Sequence, residues 1–198
     1  MPRISRRAKW VIAFVAVVVV GYGLALFWQS QNRIPKAFTD ARSQGAIIAQ
    51  NIVNLSNQST ADLSKVNEYD AQGNYRAALD IATNALEKSQ ELRNQAVQLS
   101  NQVQAMTTAL SGINSFEARQ AALESISSRL ALIAQLINYS GDLSNLFNAL
   151  QSRFTGGGTT NAKIQALVNQ INTDVNAINN FNAQANKSMS EFDRLIGK

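Results

Sequence analysis

The sequence predicts an all-α protein: one N-terminal transmembrane helix, then a long antiparallel up-down four-helix bundle with coiled-coil-like packing. Three observations predict it. The run from Trp10 to Trp28 is uncharged and apolar over about the length that spans a bilayer core. Beyond residue 34, apolar residues recur at alternating three- and four-residue steps, the spacing of one buried helical face. No stretch alternates as a half-buried strand would, and glycine-containing breaks divide the periodic part into four segments.

Residues 1–9 form a basic tail in which Arg3, Arg6, Arg7 and Lys9 precede the apolar run. The positive-inside bias places that tail in the cytoplasm and sends the bundle across the plasma (inner) membrane as a single-pass protein. Residues 10–28 are the expected anchor, with Trp10 and Trp28 at its two ends and Tyr22 inside it. Amphipathic rings favour the headgroup boundary, which suits the bracketing tryptophans. A cleaved signal peptide is the alternative, because Gly23 and Ala25 offer small residues before a cut, and it would yield a secreted helical protein. Leu26, Phe27 and Trp28 extend the run past that point and favour an uncleaved span.

Residues 29–34 are a polar juxtamembrane margin, and residues 35–198 the bundle, with helices expected over 35–70, 75–111, 115–154 and 160–197. Pro35 suits the first turn of helix one, whose face runs through Phe38, Ala41, Gly45, Ile48, Ile52 and Leu55. Gly73 and Asn74 should end it in a left-handed cap. Helix two keeps its phase without a slip from Tyr75 through Ala78, Ala82, Ala85, Ser89, Leu92, Ala96, Leu99, Val103 and Met106 to Leu110. Asn114 is placed to cap helix three, with Glu117 reaching back. That helix presents Leu123, Ile126, Leu130, Ile133, Ile137, Leu143, Phe147 and Leu150, and Leu132, Leu136 and Leu146 widen its apolar face. Ser140-Gly141-Asp142 should kink or break it, since glycine costs about 1 kcal/mol inside a helix. Helix four follows Ile164, Val168, Ile171, Val175 and Ile178 to Ile196 after the Gly156-Gly157-Gly158 loop.

Two resemblances attach to these residues. Tyr69, Gly73-Asn74-Tyr75, Ala78, Ala82, Ala85 and Leu86 resemble one helical hairpin of the tetratricopeptide repeat family, over about residues 60–90. Gln90 stands where that repeat carries its closing proline, and no second copy follows. The layout of one anchor and four long helices resembles the sensory bundle of bacterial chemoreceptors, with no shared motif from which a ligand-binding residue could be carried over.

Composition narrows the function. The net charge of +5 falls to +1 once the four topogenic cations are set aside, so it concerns membrane insertion and argues against nucleic acid as a partner. There is no cysteine and no histidine, which removes thiolate chemistry, the commonest metal ligand and the usual general base. No cofactor and no metal site is expected, the carboxylates Asp70, Glu117, Glu124, Asp142 and Asp174 read as scattered, and the chain is not expected to be an enzyme. Asn54, Asn57, Asn138 and Asn186 open N-x-S/T sequons inside predicted helices, where they carry no glycosylation signal. The expected role is a scaffold, spacer or protein-interaction module at the cell envelope, with the bilayer, another envelope protein or a second copy as partner. Leu132, Leu136 and Leu146 are the candidate interaction face, unless they seat against a neighbouring helix. The alternative is ligand sensing in the bundle core near Gly45, Ser89 and Ser140, acting through a partner.

Overall fold

The computed structural model describes residues 34–197. Four helices follow one another: α1 Lys36–Ala71, α2 Tyr75–Ala109, α3 Phe116–Phe154 and α4 Asn161–Leu195. A 3₁₀ turn at Leu110–Gly112 closes α2. Some 90% of the described residues are helical and none lies in a strand. Among them no helix is long and apolar enough to cross a membrane. The expected anchor, with Arg3, Arg6, Arg7, Lys9, Trp10, Tyr22 and Trp28, lies outside the described residues.

Glycines make two of the turns. Gly73, at φ +73°, lets Asn74 N–H reach back to Tyr69 C=O at 2.9 Å while Gly73 N–H bonds Asp70 C=O at 3.1 Å. Gly156 and Gly157 repeat this pattern on α3, with Gly157 N–H on Ser152 C=O at 2.7 Å. Both caps satisfy carbonyls that a helix end leaves orphaned. Asn74 does not share the left-handed turn: it sits at φ −84° and its side chain accepts from Ala77 N–H, so it starts α2 instead.

Contacts along the seams show that neighbouring helices run antiparallel. Asp62 of α1 meets Lys88 of α2, Ser89 and Thr83 of α2 meet Ser144 and Gln151 of α3, and Ser125 and Gln135 of α3 meet the Ala185 carbonyl and Asp174 of α4. Backbones approach closely along those three consecutive seams. The fourth seam is closed by side chains at one end, where Phe38 of α1 lies 5.3 Å from Phe192 of α4 between ring centres. There Arg42 also makes two bonds, 2.8 and 2.9 Å, to the Asp193 carboxylate.

α3 touches all three other helices, since Tyr139 and Arg153 also reach Ser56 and Asp70 of α1 across the bundle. This explains why its apolar face is broad. Leu132, Leu136 and Leu146 are buried in the common core, together with Ala118, Ala121, Ala122, Ser125 and Ile126. The expected interaction face is therefore corrected: these leucines seat against neighbouring helices, and an outward role is not open to them. Leu123 and Leu130, read as core, are exposed instead. Small residues at 118, 121, 122 and 125 decide the phase, because they let α3 approach its neighbours closely while the longer leucines turn out.

Two further expectations shift. α3 runs unbroken through Ser140-Gly141-Asp142, with the Ser140 and Ser144 hydroxyls bonding the Ile137 and Ser140 carbonyls. Packing on three sides outweighs the glycine penalty. The cap of α3 is Ser115, whose hydroxyl accepts from Ala118 N–H at 3.2 Å, and not Asn114. The one-residue delay leaves Ile113 in extended backbone, where its side chain buries.

Candidate functional site

Three features of the bundle have the chemistry to act on something. The first is a row of exposed apolar side chains on α3: Phe116, 67% exposed, and Leu123 and Leu130, both 47% exposed. They are spaced by seven residues and so share one stripe of the helix. Continuing that spacing gives Ile137, Ser144 and Gln151, and the last two reach α2. The stripe therefore runs along the flank of α3 that faces α2. On α2, Val97 lies two heptads beyond Thr83, the residue bonded to Gln151, and it too is 49% exposed. Val97 is the one apolar residue of that α2 row, whose other members are Thr83, Gln90, Gln104 and Ser111, so the apolar stripe belongs to α3. Leu123 and Leu130 belong to the periodic set that the sequence places inside, so their spacing is visible there and only their direction is not.

The second feature is a polar layer in the middle of the α3–α4 seam. Asp174 on α4 is 1% exposed. Its Oδ1 accepts from Gln135 Nε2 of α3 at 2.6 Å and from Gln170 Nε2, one turn earlier on α4, at 3.2 Å. Its Oδ2 is buried with no hydrogen-bond partner, and the Asp142 carboxyl of α3 is a hydrogen-bonding neighbour of the Asp174 side chain. Burial first, and then the neighbouring Asp142, push the Asp174 carboxyl up to about 6, against the pull of the two amides. The buried Tyr139 phenol is pushed up as well, by burial above all and then by the Asp174 charge, while its bond to Ser56 opposes this. Asp142 and Asp174 look scattered in the sequence, and the structure brings them together. Their separation of 32 positions across a glycine loop of unknown geometry offers no signal.

At the Arg42–Asp193 end, Arg129 of α3 is drawn down to about 10 by burial and then by the nearby Arg42 charge, and its Nε is buried without a partner. The third feature lies at the opposite end, near the Gly73 turn. There a cavity of about 50 Å³ opens between α1, α3 and α4, lined by Leu63, Val66, Leu150, Phe154, Ile164 and Val168 with Asp70 and Arg153 among its polar lining. Arg153 ties Asp70 of α1 at 3.1 Å and Asn161 of α4 at 2.8 Å. Such a volume holds a water or two, not a metabolite.

The residues expected to leave room in the core are occupied. Ser89 Oγ bonds the Leu86 carbonyl and Ser144 Oγ, both at 2.7 Å, and Ser140 Oγ bonds Ile137 C=O. A Cβ on Gly45 would meet Leu99 at 3.5 Å, ordinary contact distance. Among the described residues no three His, Cys, Asp or Glu side chains gather as a metal site.

These features define the class: an all-α antiparallel bundle of four helices with an exposed heptad stripe and a buried carboxyl, Asp174, beside the half-buried Asp142. No protein-family model matches the chain, and neither does any curated protein or solved structure.

Proposed function

We propose that the chain is a non-catalytic interaction or scaffold module: a helical bundle held at the cell envelope by the Trp10–Trp28 segment, which docks other proteins along the outer face of α3. The observation that carries this reading is the Phe116–Leu123–Leu130 stripe. Single exposed apolar residues are commonplace, but three at heptad spacing on one helix make a seam of the kind a further helix covers. The anchor rests on the length, neutrality and flanking charges of residues 10–28. The uncleaved, N-in arrangement would hold the bundle outside the membrane as a single-pass protein.

The test is photocrosslinking in intact cells, with the reactive residue at Gln120 or Ser127, beside the stripe. Discrete adducts that vanish in the double variant Leu123→Glu, Leu130→Glu support the proposal, provided the variant keeps its helicity. Both leucines are half exposed, so charging the two together should cost no more than about 2–3 kcal/mol. Adducts that persist unchanged in the double variant refute docking on this face. Fractionation of the same cells reports on the anchor: a chain released from membranes by carbonate refutes the transmembrane segment.

A further inference from the structure

We infer that Asp142 and Asp174 form a proton-sharing latch across the α3–α4 seam, gripping α4 while one of the two carboxyls is protonated and easing that grip when the proton leaves. The geometry assigns the proton a place. Both amide donors in the layer, Gln135 and Gln170, direct their N–H to Oδ1 of Asp174. Oδ2 is buried without any N–H or hydroxyl donor, and the neighbouring carboxyl that acts on Asp174 is that of Asp142. A proton between the two carboxyls satisfies that oxygen and removes one of two like charges; without it, the buried Asp174 charge stands beside that of the half-buried Asp142.

No cation is among the groups that act on Asp174. The groups acting on Asp174 are Asp142 and Gln135 from α3 and Gln170 from its own helix, and none is basic. Tyr139 of α3 is the other titratable group nearby, and α1 enters the layer through Ser56, which bonds the Tyr139 hydroxyl at 3.2 Å. α2 packs on the other flank of α3, where its contact one turn away is the neutral Ser89–Ser144 pair.

The placement gives the latch leverage. α4 makes close backbone packing with α3 alone, and α1 holds it at one end through Phe192 and Asp193. The α3–α4 seam therefore decides whether the middle of α4 stays docked. Folded Asp174 holds its proton to higher pH than an unfolded aspartate, whose ordinary value is 3.8 against about 6 here. The stabilisation is thus complete below about pH 4 and is lost as the pH rises through about 6.

The experiment follows the unfolding equilibrium of the full chain in mild detergent from pH 4 to 7.5, comparing wild type with Asp174→Asn. Asparagine keeps an acceptor for both glutamines and offers Asp142 an N–H, mimicking the protonated state at every pH. The ratio of the wild-type unfolding constant to that of Asp174→Asn should rise roughly a hundredfold across this range. Asp142→Asn should reduce that change, because its amide can donate to Asp174 and the second charge is gone, while the contribution of burial stays. A carboxyl infrared band that titrates near pH 6 in wild type and is missing in Asp174→Asn provides a readout independent of stability. A ratio that does not vary with pH, or a profile that Asp142→Asn leaves untouched, overturns the latch.

Discussion

Replacing Gly141 with alanine tests whether α3 is regular through its middle. An added Cβ at Gly141 would meet nothing within 4 Å, so no packing cost offsets the gain in helix propensity. Glycine inside a helix is less favourable than alanine by roughly 0.5–1 kcal/mol, largely through the entropy of the unfolded chain. The full gain should therefore appear, raising the melting temperature by about 1–4 °C for a domain of this size. Thermal unfolding followed by far-UV circular dichroism measures it. The control is Gly157→Ala: its Cβ would fall 2.9 Å from the Ser152 carbonyl oxygen and against the Ser152 hydroxyl, so that variant should lose stability. If Gly141→Ala lowers the melting temperature, the backbone at Gly141 is not helical and the continuity of α3 is wrong.

Other substitutions check other parts of the argument. Ser115→Ala should cost about 1 kcal/mol in denaturant unfolding by removing the α3 cap, while Asn114→Ala should change little; the opposite ranking would return the cap to Asn114. Phe192→Ala should cost about 3–5 kcal/mol by the same measurement, because the ring is wholly buried against Phe38, and a loss under 1 kcal/mol would mean that this end of the α1–α4 seam is open in solution. Asn172→Leu and Asn179→Leu should each stabilise the bundle by about 1 kcal/mol, since each asparagine buries a carbonyl oxygen without a partner. A loss of stability in both would reveal a donor at those sites.

Sequence periodicity locates the elements where one face alone is apolar. On α2 every expected inward position from Ala78 to Leu110 is buried, because the other faces carry Asn, Gln, Glu and Lys and leave one phase available. α3 resists the same reading for a physical reason. Its leucines and isoleucines occupy two interleaved heptads, one through 123 and 130, the other through 132 and 146. Hydropathy ranks them equally. What separates them is how closely three neighbours approach, and that approach is set by Ala118, Ala121, Ala122 and Ser125, which score weakly as core residues and are all buried. A helix with one neighbour on each side can be phased from its own residues; one that lies against three cannot.

The same limit governs the site. The carboxyl pair depends on the vertical register of α4 against α3, which the glycine loop sets, and a shift of one turn, about 5.4 Å, would part Asp142 from Asp174. Register also explains the character of the fourth seam. From Asp193, bonded to Arg42, back to Gln165, beside the cavity that α1 helps to line, steps of seven pass through Asn186, Asn179 and Asn172. On α1 the matching stripe from Arg42 to Asp70 passes through Ala49, Ser56 and Leu63. Over the middle of this seam α4 thus presents asparagines, and α1 answers with the small Ala49 and Ser56. Little apolar area is available there to draw the two helices together, and closing the seam buries amide oxygens without a partner, which costs stability. The unpartnered carbonyl oxygens of Asn172 and Asn179 belong to this same stripe. The asparagines of α4 therefore keep one edge of the bundle weakly joined, which makes the α3–α4 seam, with its shared proton, the principal restraint on α4.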